Sequence, residues 1–153
     1  MIRQDWDTYF LNIAQLCATR STCIRAQHGA VVVRDKTILS TGYNGAPRGL
    51  QHCNEVGLCY REANHITPGT QYERCKSVHA EQNAIAQAAR NGIALIDSTI
   101  YVTDLPCGIC AKLIVNAGIQ KVVYLGTGRY LDRSSAEVFV EAKIELQEVM
   151  LCA

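Results

Sequence analysis

Two short segments of the chain contain the residue types that a catalytic zinc site requires. The first is residues 79–81 (HAE) and the second is residues 106–110 (PCGIC). A catalytic zinc usually takes three protein ligands and leaves its fourth position to water, whose pKa falls to about 7. We predict that His79, Cys107 and Cys110 are the three ligands. Glu81 is then the base that handles the proton of the water.

The spacing of His79 and Glu81 restricts where they can lie on a helix. In mid-helix, residues two apart point about 200° away from each other, so both can reach one metal only from a first turn. An amphipathic run does begin here, at residues 80–90, and it stops at residues 91–92 (NG), which are typical of a helix C-terminus. The sequence therefore predicts a helix whose first turn holds both groups.

The two cysteines belong to a second predicted helix. Cys107 and Cys110 are three residues apart on one face, and Pro106 opens the helix from a position that proline favours. The positive ends of both helices would then favour thiolate and carboxylate at the site. The alternative is a closed structural zinc, or two buried cysteines beside an ordinary helix. The pairing with the His-x-Glu segment favours the catalytic interpretation.

Composition limits the classes of protein to consider. The 153 residues fit one domain, nearly half of them are apolar, and the net charge of +1 gives no support for binding to nucleic acid. No stretch approaches the length of about 20 apolar residues that spans a membrane, and the N-terminus lacks the apolar core of a signal peptide. We therefore predict a cytoplasmic protein, in the host cytoplasm if it is viral. The eight cysteines then indicate metal binding rather than disulfides.

Four cysteines precede the first zinc segment: Cys23, Cys53, Cys59 and Cys75. Four thiolates make a closed structural zinc site, which would hold the irregular stretch of residues 42–77 to the core. Cys59 competes with His52 and His65 for the fourth position. The alternative is four reduced cysteines, which are common in protein cores. Two further cysteines are predicted to have no metal role, Cys17 and Cys152.

Hydrophobic periodicity predicts an alternation of helices and strands. Helices are predicted at residues 5–20, 80–90, 106–118 and 135–142, and strands at residues 29–33, 37–41, 99–103, 121–125 and 144–149. The first two strands are predicted to form a β-hairpin, and the later strands are separated by helices. This order predicts an α/β layered fold whose sheet is part antiparallel and part parallel.

Over almost its whole length the chain resembles the deoxycytidylate (dCMP) deaminases of the cytidine deaminase superfamily. The two zinc segments match the signature of zinc-dependent nucleobase deaminases. The likeness also covers residues 20–23 (RSTC), residues 42–49 (GYNGAPRG), Cys53, residues 79–84 (HAEQNA) and residues 111–114 (AKLI). The GYNG stretch separates this family from relatives that act on free nucleosides, guanine or tRNA.

The resemblance implies a fold, a reaction and a form of regulation. The expected fold is a single domain over residues 1–153, in three α/β/α layers around a five-stranded mixed sheet. The expected reaction is deamination of dCMP to dUMP, which supplies thymidylate synthesis. A homohexamer is expected, with activation by dCTP and Mg²⁺ and inhibition by dTTP at an intersubunit site near Gly42, Tyr43 and Gly45. Arg90 occupies a position linked to subunit contact and regulation, although it could equally be a partner of the helix dipole.

Candidate substrate contacts are less sharply defined. The resemblance implies that the backbone near Ala80 and Pro106 holds the edge of the base. The amide of Asn44 could grip the sugar hydroxyl or the base, or Asn44 could be a turn residue with positive φ. Arg25 is the arginine nearest by motif to a 5′-phosphate, against the alternative of a solvated surface charge, and Tyr130 could add a ring and a hydroxyl.

Two alternative functions remain open at this point. One is a zinc deaminase that acts on dCTP or another cytosine nucleotide with the same catalytic residues. The other is a catalytically silent, zinc-stabilised regulatory module. An intact Glu81 argues against the silent module, because a structural zinc needs no carboxylate at that position.

Overall fold

The structure is a computed structural model that describes residues 3–127 and 133–150. The helices are α1 (Trp6–Ala18), α2 (Cys53–Val56), α3 (Tyr60–Ala63), α4 (Ala80–Arg90), α5 (Gly108–Asn116) and α6 (Arg133–Glu141). The strands are β1 (Gly29–Arg34), β2 (Thr37–Tyr43), β3 (Thr99–Val102), β4 (Lys121–Leu125) and β5 (Glu145–Val149).

Within the described residues the five strands form one mixed sheet in the order β2-β1-β3-β4-β5. β1 pairs antiparallel with both β2 and β3, whereas β3, β4 and β5 are parallel. The antiparallel part follows from the hairpin, and the parallel part follows from the helical crossovers through α5 and α6. The predicted five-stranded mixed sheet is confirmed.

Helices cover both faces of the sheet and make two separate hydrophobic cores. On one face α1 packs through Phe10 and Leu11. On the other face α4, α5 and α6 pack through Ala84, Ile114 and Phe139. Because successive strand residues point to opposite faces, each central strand contributes apolar side chains to both cores. The predicted α/β/α layering is confirmed.

Residues 42–77, for which the sequence predicted no regular structure, contain three short elements. α2, α3 and a 3₁₀ turn at Tyr72–Arg74 lie between β2 and α4. An isolated antiparallel β-bridge between Gly45 and Val78 brings the two ends of this stretch together. Residues 46–77 are therefore an excursion from the α/β core. The excursion starts and ends next to the segment of residues 79–81.

A close contact between β2 and α4 fixes the position of that segment. A Cβ atom on Gly42 would lie 2.1 Å from the carbonyl oxygen of Ala80 and 2.5 Å from the amide nitrogen of Ala84. Only glycine permits this approach. The side-chain amide of Asn83 also donates to the carbonyl of Tyr43 at 2.8 Å. The first turns of α4 are thus held directly against the end of β2.

No helix among the described residues is long and apolar enough to cross a membrane.

The core on the α4–α6 face gives a first testable prediction. Phe139 is 0% exposed, while its neighbour Val140 on the same helix is 76% exposed. We expect Phe139→Ala to lower the free energy of unfolding by about 3–5 kcal/mol, because it leaves a cavity beside α5. Val140→Ala is the matched control and should change it by less than about 0.5 kcal/mol. Denaturant unfolding followed by circular dichroism measures both, and equal losses in the two variants would contradict this packing.

Candidate metal centre and pocket

The helix start at α4 presents His79 and Glu81 together. His79 is the N-cap residue, with extended backbone angles, and Glu81 lies in the first turn. The side-chain oxygen of Gln82 accepts a hydrogen bond from the backbone N–H of His79 at 3.0 Å, which satisfies one of the unpaired donors of the helix end. The first-turn arrangement that the spacing predicts is therefore present.

The cysteines lie at the start of α5. Cys107 is the N-cap and Cys110 lies in the first turn, so the helix proper begins one residue after Cys107. Pro106 precedes the cap and is fully buried. β3 ends at Val102, and the short connection from its carboxyl end brings Cys107 to the start of α4. Two helix N-termini thus meet at one point, where their dipoles favour negative charge.

The ligand atoms have a spacing that suits zinc. Nδ1 of His79 lies 3.5 Å from Sγ of Cys107 and 3.4 Å from Sγ of Cys110. Bonds of about 2.0–2.3 Å at tetrahedral angles would separate nitrogen and sulfur ligands by about 3.5 Å. Among the described residues, these three form the one group of His, Cys, Asp and Glu side chains close enough to share a metal ion. One imidazole and two thiols with this geometry fit a zinc ion that keeps a position open.

Electrostatics at the centre favour an anionic sulfur. The hydrogen bond from Cys110, and a smaller contribution from His79, lower the pKa of Cys107 to about 4. The pKa of Cys110 is raised instead, because its proton is shared with Cys107, the site is buried and Glu81 is close. Burial alone would lower the pKa of His79, but its contact with Cys107 and the charge of Glu81 raise it. Cys107 is therefore the group of the cluster that most readily carries the negative charge a cation would neutralise.

Glu81 is a buried carboxylate beside this cluster. It is 8% exposed, and burial raises its pKa, against a smaller lowering by His79. A carboxyl group whose pKa is raised accepts a proton more readily near neutral pH. Glu81 also lines the same pocket as His79 and Cys107. A carboxyl group that can take up a proton therefore lies beside the cluster, at the pocket.

The pocket above the centre includes several of the predicted substrate contacts. Ala80, Asn44 and Arg25 line it. Asn44 does not have positive φ, so the turn interpretation of this residue is wrong. Its amide instead accepts from the N–H of His28 at 2.8 Å and donates to the carbonyl of Ala26 at 2.9 Å. Asn44 therefore fixes the segment before β1 and lines the pocket as well.

Arg25 is paired within the protein. Its guanidinium lies 3.0 Å from a carboxylate oxygen of Glu62, on the wall of the pocket. The arginine side chain is 27% exposed, so it can still meet a ligand in the pocket.

All four upstream cysteines line this pocket: Cys23, Cys53, Cys59 and Cys75. Burial raises the pKa of Cys53, and the other three cysteines add to this effect, so their sulfurs are close in space. In the described part of the chain they do not reach the mutual spacing found at His79, Cys107 and Cys110. His52 makes a contact of 3.1 Å with Thr22 through its Nδ1.

Four further predicted site residues are not among those that line the pocket: Gly42, Tyr43, Gly45 and Arg90. Tyr43 and Arg90 are exposed, at the ends of β2 and α4. Gly42 and Gly45 are buried, and Gly42 has a packing reason to be glycine. Tyr130 falls outside the described residues.

Arg61 and Tyr72 are among the residues of the pocket wall that sequence reasoning missed. Arg61 is 5% exposed, which is unusual for arginine. It lies in a four-residue helix within an irregular stretch, and no periodicity there indicates which side faces inward.

Comparison with known proteins identifies the family. A model of the cytidine and deoxycytidylate deaminase zinc-binding region matches residues 4–126. The chain belongs to this family. The family resemblance deduced from the sequence motifs is thereby confirmed.

Individual relatives agree with the family match. A deoxycytidylate deaminase of Mycobacterium phage D29 is 46% identical over 129 residues, which cover 81% of this chain and 97% of the phage protein. A deoxycytidylate deaminase of Schizosaccharomyces pombe is 36% identical over 95% of this chain, but the match spans only 44% of the yeast protein. A dCMP deaminase of cyanophage S-TIM5, solved in complex with dCMP and dUMP, aligns with a TM-score of 0.79 at 27% identity. That alignment covers 97% of this chain and all of the phage chain.

The metal centre gives a second prediction. Cys107→Ser should remove one equivalent of zinc per chain, because a hydroxyl is a poor substitute for a thiolate ligand. Cys17→Ser is the matched control, since Cys17 lies on α1 in the opposite core, and it should retain the full zinc content. Elemental analysis of the purified proteins measures both. Unchanged zinc in the Cys107 variant would contradict the ligand assignment.

Proposed function

We propose that this protein catalyses the zinc-dependent hydrolytic deamination of dCMP to dUMP and ammonia. The observation that carries the proposal is the buried carboxylate of Glu81 beside the cluster of His79, Cys107 and Cys110, at a pocket. A purely structural zinc would need no such carboxylate, and no open pocket.

The protein's own groups can be given definite tasks. His79, Cys107 and Cys110 would hold a zinc ion, which supplies Lewis-acid activation of a water molecule at neutral pH. Glu81 takes a proton from that water and passes it to the ring nitrogen N3 of the cytosine. In the net reaction C4 of the base exchanges its bond to nitrogen for a bond to oxygen, and Glu81 delivers a second proton to the departing ammonia. One buried carboxyl group thus serves as base and then as acid.

Binding of the nucleotide is assigned to further residues of the chain. The backbone at Ala80 and Pro106 holds the base edge, and the second N–H of the Asn44 amide remains available for the sugar. Arg25 is our candidate for the 5′-phosphate, and Tyr130 is the candidate for a further contact. Arg25 lines the pocket and its side chain is 27% exposed, which supports this role.

The preference for dCMP over other cytosine compounds rests on the relatives. The phage D29 and yeast proteins are named deoxycytidylate deaminases, and the cyanophage structure contains dCMP and dUMP. The second candidate is deamination of dCTP or another cytosine nucleotide by the same catalytic groups. A catalytically silent regulatory module is the less favoured alternative, because Glu81 is intact and buried.

A second, structural zinc is part of the proposal. Its ligands would be Cys23, Cys53, Cys59 and Cys75, which line the pocket, and the other three cysteines affect Cys53 electrostatically. Cys59 is preferred over His52 as the fourth ligand, because its electrostatic effect on Cys53 places those two sulfurs close together. Cys53→Ser should then lower the zinc content by one equivalent while Cys107→Ser removes the other.

The regulation and assembly that we propose are those that the family resemblance implies. We assign activation by dCTP with Mg²⁺ and inhibition by dTTP to a site near Gly42, Tyr43 and Gly45, with Arg90 at a subunit contact of a homohexamer. The exposed positions of Tyr43 and Arg90 suit contact with a neighbouring subunit. The working compartment would be the cytoplasm, where dUMP feeds thymidylate synthesis. Sedimentation with and without the two nucleotides tests this assignment.

A third prediction concerns Glu81. Glu81→Gln keeps the size of the side chain but cannot carry a proton, so kcat for dCMP should fall by about 10²–10⁴-fold. Zinc content should remain that of the wild type. Glu73→Gln, at an exposed glutamate, is the matched control and should have full activity. Ammonia release measures turnover, and an active Glu81 variant would refute this mechanism.

A fourth prediction tests the phosphate assignment. Loss of a charge-assisted hydrogen bond in Arg25→Gln should raise KM for dCMP by about 10- to 100-fold, and should leave the weak turnover of deoxycytidine unchanged. Glu62→Gln removes only the ion-pair partner of Arg25, so its KM for dCMP should not rise. Steady-state assays with dCMP, dCTP and deoxycytidine measure these changes. Equal losses on dCMP and deoxycytidine would contradict the role, and preferential turnover of dCTP would favour the second candidate function.

A further inference from the structure

A buried arginine organises one wall of the pocket. Arg61 is 5% exposed, and its guanidinium donates to the carbonyl oxygens of Thr67, Thr70 and Gln71. Among the described residues, no carboxylate lies within ion-pair distance of it. A buried charge is costly unless its donors are satisfied, so these carbonyls are what stabilise the cation here. Arg61 therefore holds the loop of residues 67–71 in one conformation.

The same arginine contacts an aromatic ring that reaches the metal centre. The guanidinium carbon of Arg61 lies 5.6 Å from the centre of the Tyr72 ring, in a cation–π arrangement. The Tyr72 ring in turn meets the His79 ring at an interplanar angle of 89°, with the ring centres 5.2 Å apart. This is the edge-to-face geometry that aromatic pairs favour. A continuous set of contacts thus runs from the loop through Arg61 and Tyr72 to His79.

The orientation of the His79 ring matters for metal binding. Its Nδ1 faces the two thiols, and in the described part of the chain no protein atom accepts a hydrogen bond from the other ring nitrogen. In most metal sites such an acceptor fixes the ring of a ligand histidine. Here the aromatic contact with Tyr72 is in the position to do so.

We infer that Arg61 and Tyr72 are positioning residues for the zinc ligand His79. Arg61 holds Tyr72 in place, and Tyr72 restricts rotation of the imidazole so that Nδ1 stays on the metal. Neither residue needs to touch the substrate or the metal. The inference rests on the metal assignment in the proposed function, and it extends that assignment to residues 61–72.

A second arginine–tyrosine pair in the chain serves as a control for this inference. Arg74 lies over the ring of Tyr60 at the same distance of 5.6 Å, and it donates to the Tyr60 hydroxyl at 2.9 Å. That pair is exposed and has no ring contact with His79 among the described residues. Arg74→Met therefore removes the same kind of contact from the same stretch of chain, without loosening the histidine.

A fifth prediction compares Tyr72→Leu, Tyr72→Phe, Arg61→Met and Arg74→Met in the full chain. Two readouts do not depend on turnover: the affinity for zinc in competition with a chelator, and the visible absorption of the cobalt-substituted protein. We expect Tyr72→Leu and Arg61→Met to weaken metal binding by about 10- to 100-fold and to shift the cobalt bands. Tyr72→Phe should stay within about threefold of the wild type, because it retains the ring. Arg74→Met should match the wild type.

Kinetics separate positioning from substrate binding. A loosened histidine should lower kcat for dCMP in Tyr72→Leu while KM is unchanged, because the variant retains the groups that hold the nucleotide. Cobalt-loaded Cys107→Ser supplies the background spectrum of any metal bound elsewhere. If Arg61→Met fails to fold, the comparison of Tyr72→Leu with Tyr72→Phe still tests whether an aromatic ring at position 72 positions His79.

Several results would overturn the inference. Wild-type metal affinity and an unshifted cobalt spectrum in Tyr72→Leu would do so, as would equal weakening in Arg61→Met and Arg74→Met. Failure of the proposed function is seen separately, as a wild-type protein that binds zinc but does not deaminate dCMP. Absence of zinc from the wild type would contradict the metal assignment before any variant is made.

Discussion

The constraint on which the site depends is the meeting of two helix N-termini around one imidazole and two thiols. Nδ1 of His79 is about 3.5 Å from each thiol sulfur, and the three ligand atoms lie within 4.8 Å of one another, which leaves room for one small cation. Two positive helix ends that face each other need negative charge between them. The low pKa of Cys107 supplies it, so helix geometry and ligand chemistry support each other.

The sheet fixes the relative positions of these two helix ends. β3 and β4 run parallel, so the connection from β3 into α5 must start at the carboxyl edge of the sheet, where Cys107 lies. α4 is fixed independently, because Gly42 lets β2 approach the backbone of Ala80 closely. Two separate packing contacts with one rigid sheet therefore determine a distance between side chains that are far apart in sequence. A shift of α4 against β2 would move both His79 and Glu81.

The excursion of residues 46–77 has too few apolar side chains to make its own core, and its contacts are of another kind. Four cysteines line the pocket, and the buried guanidinium of Arg61 donates to three backbone carbonyls. The sequence indicated the cysteines, because their type suggests metal binding wherever they lie. It gave no indication of Arg61, because burial of an arginine depends on the carbonyls around it, and those come from a loop without periodicity. The rigidity of this part of the pocket thus depends on polar contacts.

Residue types and short spacings determined the chemistry of this protein: a nitrogen, two sulfurs and a carboxylate, each at the start of a helix. They also determined the helix and strand order, since periodicity and capping act over only a few residues. Tertiary structure decided which distant residues meet. The amide of Asn44 turned out to bind the segment at Ala26 and His28, and Tyr72 turned out to contact His79. Contacts of this kind depend on strand order and on the closure of long loops, and no local pattern of residues specifies either.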